Sequence, residues 1–411
     1  MNLLRLPRGR RALFAALYFT EGAPIGFLWW ALPTVMRESG GDTQQIGALL
    51  SLLVLPWALK FLWAPFVDVL RGPRWTLRGW IATAQLVMTA SLLPLLVLDA
   101  TSATGWLVAA LVLHAFAAAT QDVAIDALAI AATPASERGS INGWMQAGML
   151  LGRAGFGGGG LLIRARFGDR ALVLALILVL LAGVALALLY RDSASRQRVR
   201  SAAQTPLRSF AHHLRAALAS RATWLALAFA ATSGAAFEAV GGLAGPMLVD
   251  AGASAETIGH FFLLPAVAAM LAGALVGGRA ADRFGRRRAV FGTGLAVVVA
   301  VLALASLPAQ PSSIAAHLGI LCAVYLAIGL FTAASYALFM DLCDPRLGAT
   351  QFSAYMGATN LCEAWAVGAG GAVAGLHGYP AAFAILAAAS LLSLGLLPWL
   401  RRDASGPLGG E

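Results

Sequence analysis

KFLWAPFVDVLRGPRWTLRGW, residues Lys60 to Trp80, ends an apolar run in an acid followed by arginines, and GGRAADRFGRRR, Gly277 to Arg288, does so again. Asp68 and Asp282 stand 214 residues apart, so each takes the same place in one half of a 411-residue chain. The pattern is an internal duplication. An acid among arginines suits a short turn at a membrane surface, where the carboxylate accepts hydrogen bonds from a neighbouring helix end and the guanidinium groups stay in water. Other landmarks repeat with it: Pro33 precedes Ile46-Gly47 by 13 residues, and Pro246 precedes Ile258-Gly259 by 12. The apolar segment before each pair carries a glutamate, Glu21 or Glu238. Glu137-Arg138-Gly139 after the fourth segment is answered by Pro345-Arg346-Leu347-Gly348 after the tenth, which makes six segments per half the economical reading.

Hydrophobic residues make up 59% of the chain and charged ones 12%, values that a soluble protein with a water-facing surface does not reach. The chain therefore reads as an all-α, polytopic membrane protein. Its net charge of +10 is explained by topology, because basic residues fix loops on the cytoplasmic side, and no nucleic-acid partner is expected. Cys322, Cys343 and Cys362 are odd in number and lie in or beside apolar segments, so neither a disulfide framework nor a metal site is indicated. No cofactor is expected. Arg5, Arg8, Arg10 and Arg11 before the first apolar run imitate a signal peptide, but no small-residue cleavage site closes the run, so it reads as a retained first helix.

With about 20 apolar residues needed per crossing, spans are expected at roughly 12–35, 46–67, 79–98, 105–132, 139–163 and 170–190. The second half gives roughly 222–249, 257–279, 289–308, 313–340, 348–375 and 379–400. Two six-helix bundles follow, 1–190 and 222–411, joined by a linker over 191–221. Alternate loops on the side of the termini carry 23 Lys and Arg against four on the other side, which puts both termini in the cytoplasm. Arg164, Arg166 and Arg170 are the local exception, either an outer docking patch for an anion or a tolerated deviation. In the linker, Leu207, Phe210, Leu214 and Leu218 fall at helical spacing among arginines, the pattern either of a helix lying on anionic lipid or of a solvated connector.

Charges inside spans are costly and face a partner or an aqueous cavity. They are Glu21, Lys60, Asp122, Asp126, Arg153, Glu238 and Glu363. Asp122 and Asp126 share a helix face four residues apart, with Lys60 at comparable depth, so a Lys60–carboxylate pair is expected, functional or structural. Asn142, Gln146 and Arg153 form one stripe of the fifth span, and Arg153 at mid-depth either grips an acidic solute group bidentately or neutralises Glu21 or an aspartate. The surrounding glycines, Gly148, Gly152, Gly155 and Gly157 to Gly160, read as helix-packing positions. Trp29 and Trp30 either stack on a solute ring or anchor at the membrane interface, and Tyr336 and Asn360 complete a candidate solute cavity. Five intramembrane carboxylates face two bases, both in the first half. Glu363 is therefore the favoured proton carrier, steadied by Asn360 one turn earlier, with Glu238, Glu21, Asp122 and Asp126 as alternates; a permanently neutral Glu363 is the competing reading. Asp68, Asp282 and Arg286 read as gate fasteners, too near the surface to touch a solute at mid-depth.

G-x-x-x-D-R-x-G-R-R over residues 278–287 resembles the helix 2–3 turn signature of the major facilitator transporters. Glu21-Gly-Ala-Pro-Ile-Gly, Lys60-Phe-Leu-Trp-Ala-Pro-Phe-Val-Asp68, Gln121-Asp-Val-Ala-Ile-Asp126 and Glu137-Arg-Gly together resemble the muropeptide permease and acetyl-coenzyme A transporter branch, which includes siderophore-uptake permeases. The resemblance implies proton-driven movement of a sizeable organic solute across the bacterial inner membrane, by a monomer. Efflux of a small amphipathic compound is the alternative direction. An enzyme or sensor is less favoured, since no H-E-x-x-H motif, nucleophile elbow or phosphate-binding loop is present.

Overall fold

The computed structural model describes residues 3–70, 76–97, 105–134, 137–190, 215, 219–307, 314–343 and 348–400. Helices occupy almost all of it, with no strand among the described residues. α1 runs Pro7–Glu38, α2 Thr43–Leu62, α3 Leu77–Leu96, α4 Gly105–Ala132, α5 Arg138–Phe167 and α6 Asp169–Leu189. The second half answers with α7 Arg221–Asp250, α8 Ala255–Phe284, α9 Arg286–Ala305 and α10 Ile314–Leu342. α11 and α12, residues 348–377 and 379–394, are separated by Gly378, whose φ of 82° is left-handed and comfortable only for glycine. The twelve expected spans are all present, with boundaries shifted by a few residues. Most of the linker, with its amphipathic stretch, lies outside the described residues.

Within the first bundle α1 packs on α5, and α3 on α4 and α6; in the second α7 packs on α11, α8 on α10, and α9 on α12. Glycine decides the closest of these contacts. A Cβ at Gly26 would lie 2.2 Å from the Arg153 carbonyl oxygen, and one at Gly148 would lie 2.1 Å from that of Ala15, so α1 and α5 touch backbone to backbone. Leu174, Leu178, Leu392 and Ile385 point outward, as lipid-facing residues must.

Two seams join the bundles, α2 against α11 and α5 against α8. Along the second, contact is confined to the end opposite the arginine-rich loops: α5 packs on Ala255–Leu263, where Gly158 meets Gly259, and among the described residues Pro265–Phe284 has no comparable packing with it. There α8 exposes Leu264, Leu271 and Leu275. Along this seam the bundles thus close at one end and part at the other, while α2 stays against α11 from Gly47 and Gly371 to Ala58 and Gly357.

Several spans break where their polar residues sit. α1 carries a π turn over Phe27–Ala31, holding Trp29 and Trp30, just before Pro33 removes a backbone donor. α2 tightens into a 3₁₀ turn that begins at Lys60. α7 breaks at Gly234 and restarts as Ala235–Asp250, which leaves Glu238 in a first helical turn whose Ala236 N–H donates to Ser390 Oγ.

Candidate solute and coupling site

The first bundle buries one base among three acids. Lys60 donates to Asp122, Tyr18 donates to Asp126 Oδ1 at 2.5 Å, and Glu21, 1% exposed, has Asp122, Asp126 and Lys60 as its charged neighbours. The expected Lys60–carboxylate pair is therefore made, and to Asp122. A cavity of about 230 Å³ lined by Asp126, Thr133, Asn142 and Met145 reaches this cluster from the arginine-rich end.

Arg153 lies elsewhere, at the boundary of the two bundles. Its Cζ is 5.0 Å from the centroid of Trp30, a cation–π distance. Trp30 in turn stacks on Phe262 of α8 with centroids 4.9 Å apart and planes at 13°, and meets Tyr325 of α10 edge to face. The charges that Arg153 feels belong to the second bundle, Glu238 and Glu363, rather than to Glu21 or the α4 aspartates. It makes no ion pair or hydrogen bond with them: among the described residues its guanidinium donates to nothing, and Nε is buried without a partner.

The duplication explains this meeting. Residues 151–157 and 361–367 share one pattern of burial, so Arg153 and Glu363 hold the same position in their own bundles, 210 residues apart. The base and the acid at these equivalent positions lie near enough for Glu363 to feel the charge of Arg153. Glu363 accepts from Trp29 Nε1. Glu238 borders a cavity of about 50 Å³ with Tyr336, Ser335 and Cys362, and Tyr336 lies near both glutamates.

Other expectations are corrected by this geometry. Asn360 does not steady Glu363: its amide donates to the Trp57 carbonyl at 3.3 Å, across the α2–α11 seam. Trp29 and Trp30 are 5% and 2% exposed, so they are no lipid-interface anchors. Asn142 and Gln146 are exposed on the half of α5 that has parted from α8, nearer the arginine-rich end than Arg153. Gly148, Gly152 and Gly157 are packing glycines, as read, but Gly155 is not, since a Cβ there would meet nothing within 4 Å. The side chain of Asp68 lies outside the described residues. Asp282 pairs with Arg286 at 2.5 Å, and Arg286 also reaches Asp341 at 3.1 Å, so this fastener stays within the second bundle.

Three features escaped the sequence reading. Arg10 lies inside α1, buried, and pairs with Glu137 at 2.6 Å, which gives the Glu137-Arg-Gly string a structural role at the start of α5. Arg37 donates to Asp250 Oδ1 at 2.6 Å, and Tyr379 donates to Oδ2 of the same carboxylate at 2.9 Å, so one acid ties α1 to α7 and α12 at the closed end. Arg164 pairs with Glu38 and Asp169, so the arginine trio is partly neutralised rather than an open anion patch. The equal spacing of Arg37 and Asp250 from the two prolines was the available signal for the second.

Residues 14–244 and 231–410 match the family model described as Major Facilitator Superfamily. The chain belongs to this superfamily. Ten of its described helical segments are long and apolar enough to cross a membrane, as a multi-pass member of this superfamily requires. Over 132 residues it is 30% identical to the anhydromuropeptide permease of Escherichia coli K12, a match covering 32% of this chain and 27% of that permease's own length. A protein of Haemophilus influenzae Rd without assigned function is 26% identical over 359 residues, 82% of this chain and 81% of that one. In fold it is similar to a D-xylose–proton symporter, with a TM-score of 0.73 at 13% identity over 97% of this chain and 98% of that one.

Proposed function

We propose that this facilitator carries a sizeable organic solute with an acidic group, of the muropeptide or siderophore class, into the cytoplasm on a proton gradient. It works as a monomer in the bacterial inner membrane, with both termini and the arginine-rich loops on the cytoplasmic side. Bundles 1–190 and 222–411 rock about a central site. The observation that carries the reading is Arg153, a guanidinium at mid-span that is stacked on Trp30 yet donates no hydrogen bond among the described residues. An arginine placed inside a membrane without a hydrogen-bonding partner is strongly disfavoured unless something completes it, and a carboxylate matches its fork. The kinship over 132 residues with an anhydromuropeptide permease supports the solute class, and the buried acids support proton coupling. The test is uptake into proteoliposomes under an imposed inward proton gradient, with labelled anhydromuropeptide, ferric and free siderophore, and a coenzyme A ester offered in parallel. One of the first three should accumulate, and accumulation should stop when the gradient is collapsed. Equal equilibration of all of them with and without the gradient would contradict the reading.

A further inference from the structure

We propose that the first bundle holds one anionic glycerophospholipid at the end opposite the arginine-rich loops: an acyl chain fills a slot between α1, α3 and α6, and Arg166 and Arg170 hold the phosphodiester at its mouth.

The slot is a cavity of about 480 Å³, the size of a small-molecule site. Phe27 and Val35 of α1, Leu96 of α3 and Leu172 of α6 line it. Phe27 and Val35 stand eight residues apart, about 12 Å along a helix at 1.5 Å per residue. The space therefore runs along the span and suits a chain laid parallel to the helices. An apolar cavity holds water poorly, and its walls gain dispersion contacts only from something that fills it. At the mouth, Val97 and Phe167 are 78% and 68% exposed. Large apolar residues left open beside charges mark a membrane-facing surface, and acyl chains are the apolar groups such a surface meets.

Charge selects the headgroup. Arg164, Arg166 and Arg170 run against the bias of basic residues toward the other side. Arg164 is held by Glu38 and Asp169. Arg166 and Arg170 have no acidic partner among the described residues; Arg170 lines the mouth of the slot, and Arg166 Cζ lies 5.9 Å from the ring centroid of Phe167 beside it. Three arginines against two acids leave the mouth positive. A phosphodiester carries one negative charge, and two guanidinium groups offer it planar forks of donors; basic pockets between spans hold lipid headgroups in this way. A free anion would meet the same arginines but leave the slot empty, and a neutral apolar ligand would leave the arginines unpaired. A lipid satisfies both. It also lies behind the half of α1 that bears Trp30, stacked on Phe262, and Arg37, paired with Asp250, so it braces the helix that closes on the second bundle.

The experiment counts lipids on the purified full-length chain by native mass spectrometry, with phosphatidylglycerol and phosphatidylcholine of the same acyl chains offered in detergent. The wild type should retain one phosphatidylglycerol in preference to phosphatidylcholine, and that lipid should raise its unfolding temperature. At about fivefold in affinity per arginine, Arg166→Gln with Arg170→Gln should weaken phosphatidylglycerol binding by roughly 25-fold and erase the preference. Both side chains are exposed, so this variant keeps its fold. Leu96→Trp, which fills the slot, should lower the binding of both lipids. Equal binding of the two lipids by the wild type, an undiminished preference in the arginine variant, or undiminished binding by Leu96→Trp overturns the proposal. Displacement of the lipid by glycerol 3-phosphate overturns it too, because a soluble anion would then suffice. Loss of the preference in Arg287→Gln with Arg288→Gln instead would put the lipid at the arginine-rich end, which also overturns it. None of these results depends on what the chain transports.

Discussion

At the scale of single residues the two charged clusters differ in what they lack. Lys60 and Asp122 satisfy each other, with side chains 22% and 9% exposed, so removing one partner leaves the other charge poorly solvated. Lys60→Gln should cost about 3 kcal/mol, read as a lowered unfolding temperature in detergent. Lys60→Gln with Asp122→Asn should recover most of that loss. If the double variant is stable and transports normally, the pair is a structural clamp; if it is stable and inactive, the pair belongs to the working cycle. Arg153 is the opposite case, since its near neighbours are acids it does not touch. The sequence made Arg153 legible as a buried charge, but not its partners. Glu363 and Glu238 are more than 80 residues away in the chain, and only the pseudo-two-fold placement of α5 and α11 brings them to it.

At the scale of elements, the closest helix contacts and the closing contacts between bundles invite separate tests. Gly26→Val places side-chain atoms against the Arg153 carbonyl, where a Cβ alone would lie 2.2 Å away. It should destabilise by about 1–3 kcal/mol and displace Arg153, so both unfolding temperature and solute affinity should fall; loss of neither would mean that α1 and α5 do not meet this closely. At the closed end, Arg37 and Asp250 are about a quarter exposed, 27% and 26%, so their bond is worth no more than about 1 kcal/mol. Asp250→Asn, which also weakens the Tyr379 contact, should raise the rate at which a cysteine placed at Gly41 reacts with an impermeant reagent from outside by up to roughly fivefold. An unchanged rate would remove the latch from the gating account. Spans and glycine faces were readable because apolar length and small residues at helical spacing are local signals. The latch was not, because two exposed-looking charges give no sign of their pairing until α1, α7 and α12 are assembled. The breaks at Lys60, Gly234 and Trp29 were hidden too, since proline and glycine mark them only loosely.

At the scale of the whole molecule, the duplication read from Asp68 and Asp282 anticipates the pseudo-symmetric bundles, and the divergence between the copies is where function enters. Equivalent positions hold a base in one half and an acid in the other, 153 and 363, so two similar bundles make one asymmetric centre where they meet. Closure of the α5–α8 seam at one end and its separation at the other is what the proposed rocking about that centre requires. The most direct measurement is gradient-driven uptake of labelled anhydromuropeptide into proteoliposomes containing either the wild type or Arg153→Lys, with insertion of both checked by protease protection. Lysine keeps the charge and loses the planar fork. The account predicts that the variant inserts normally but needs at least tenfold more solute for half-maximal uptake; uptake by Arg153→Lys at the wild-type concentration would contradict it.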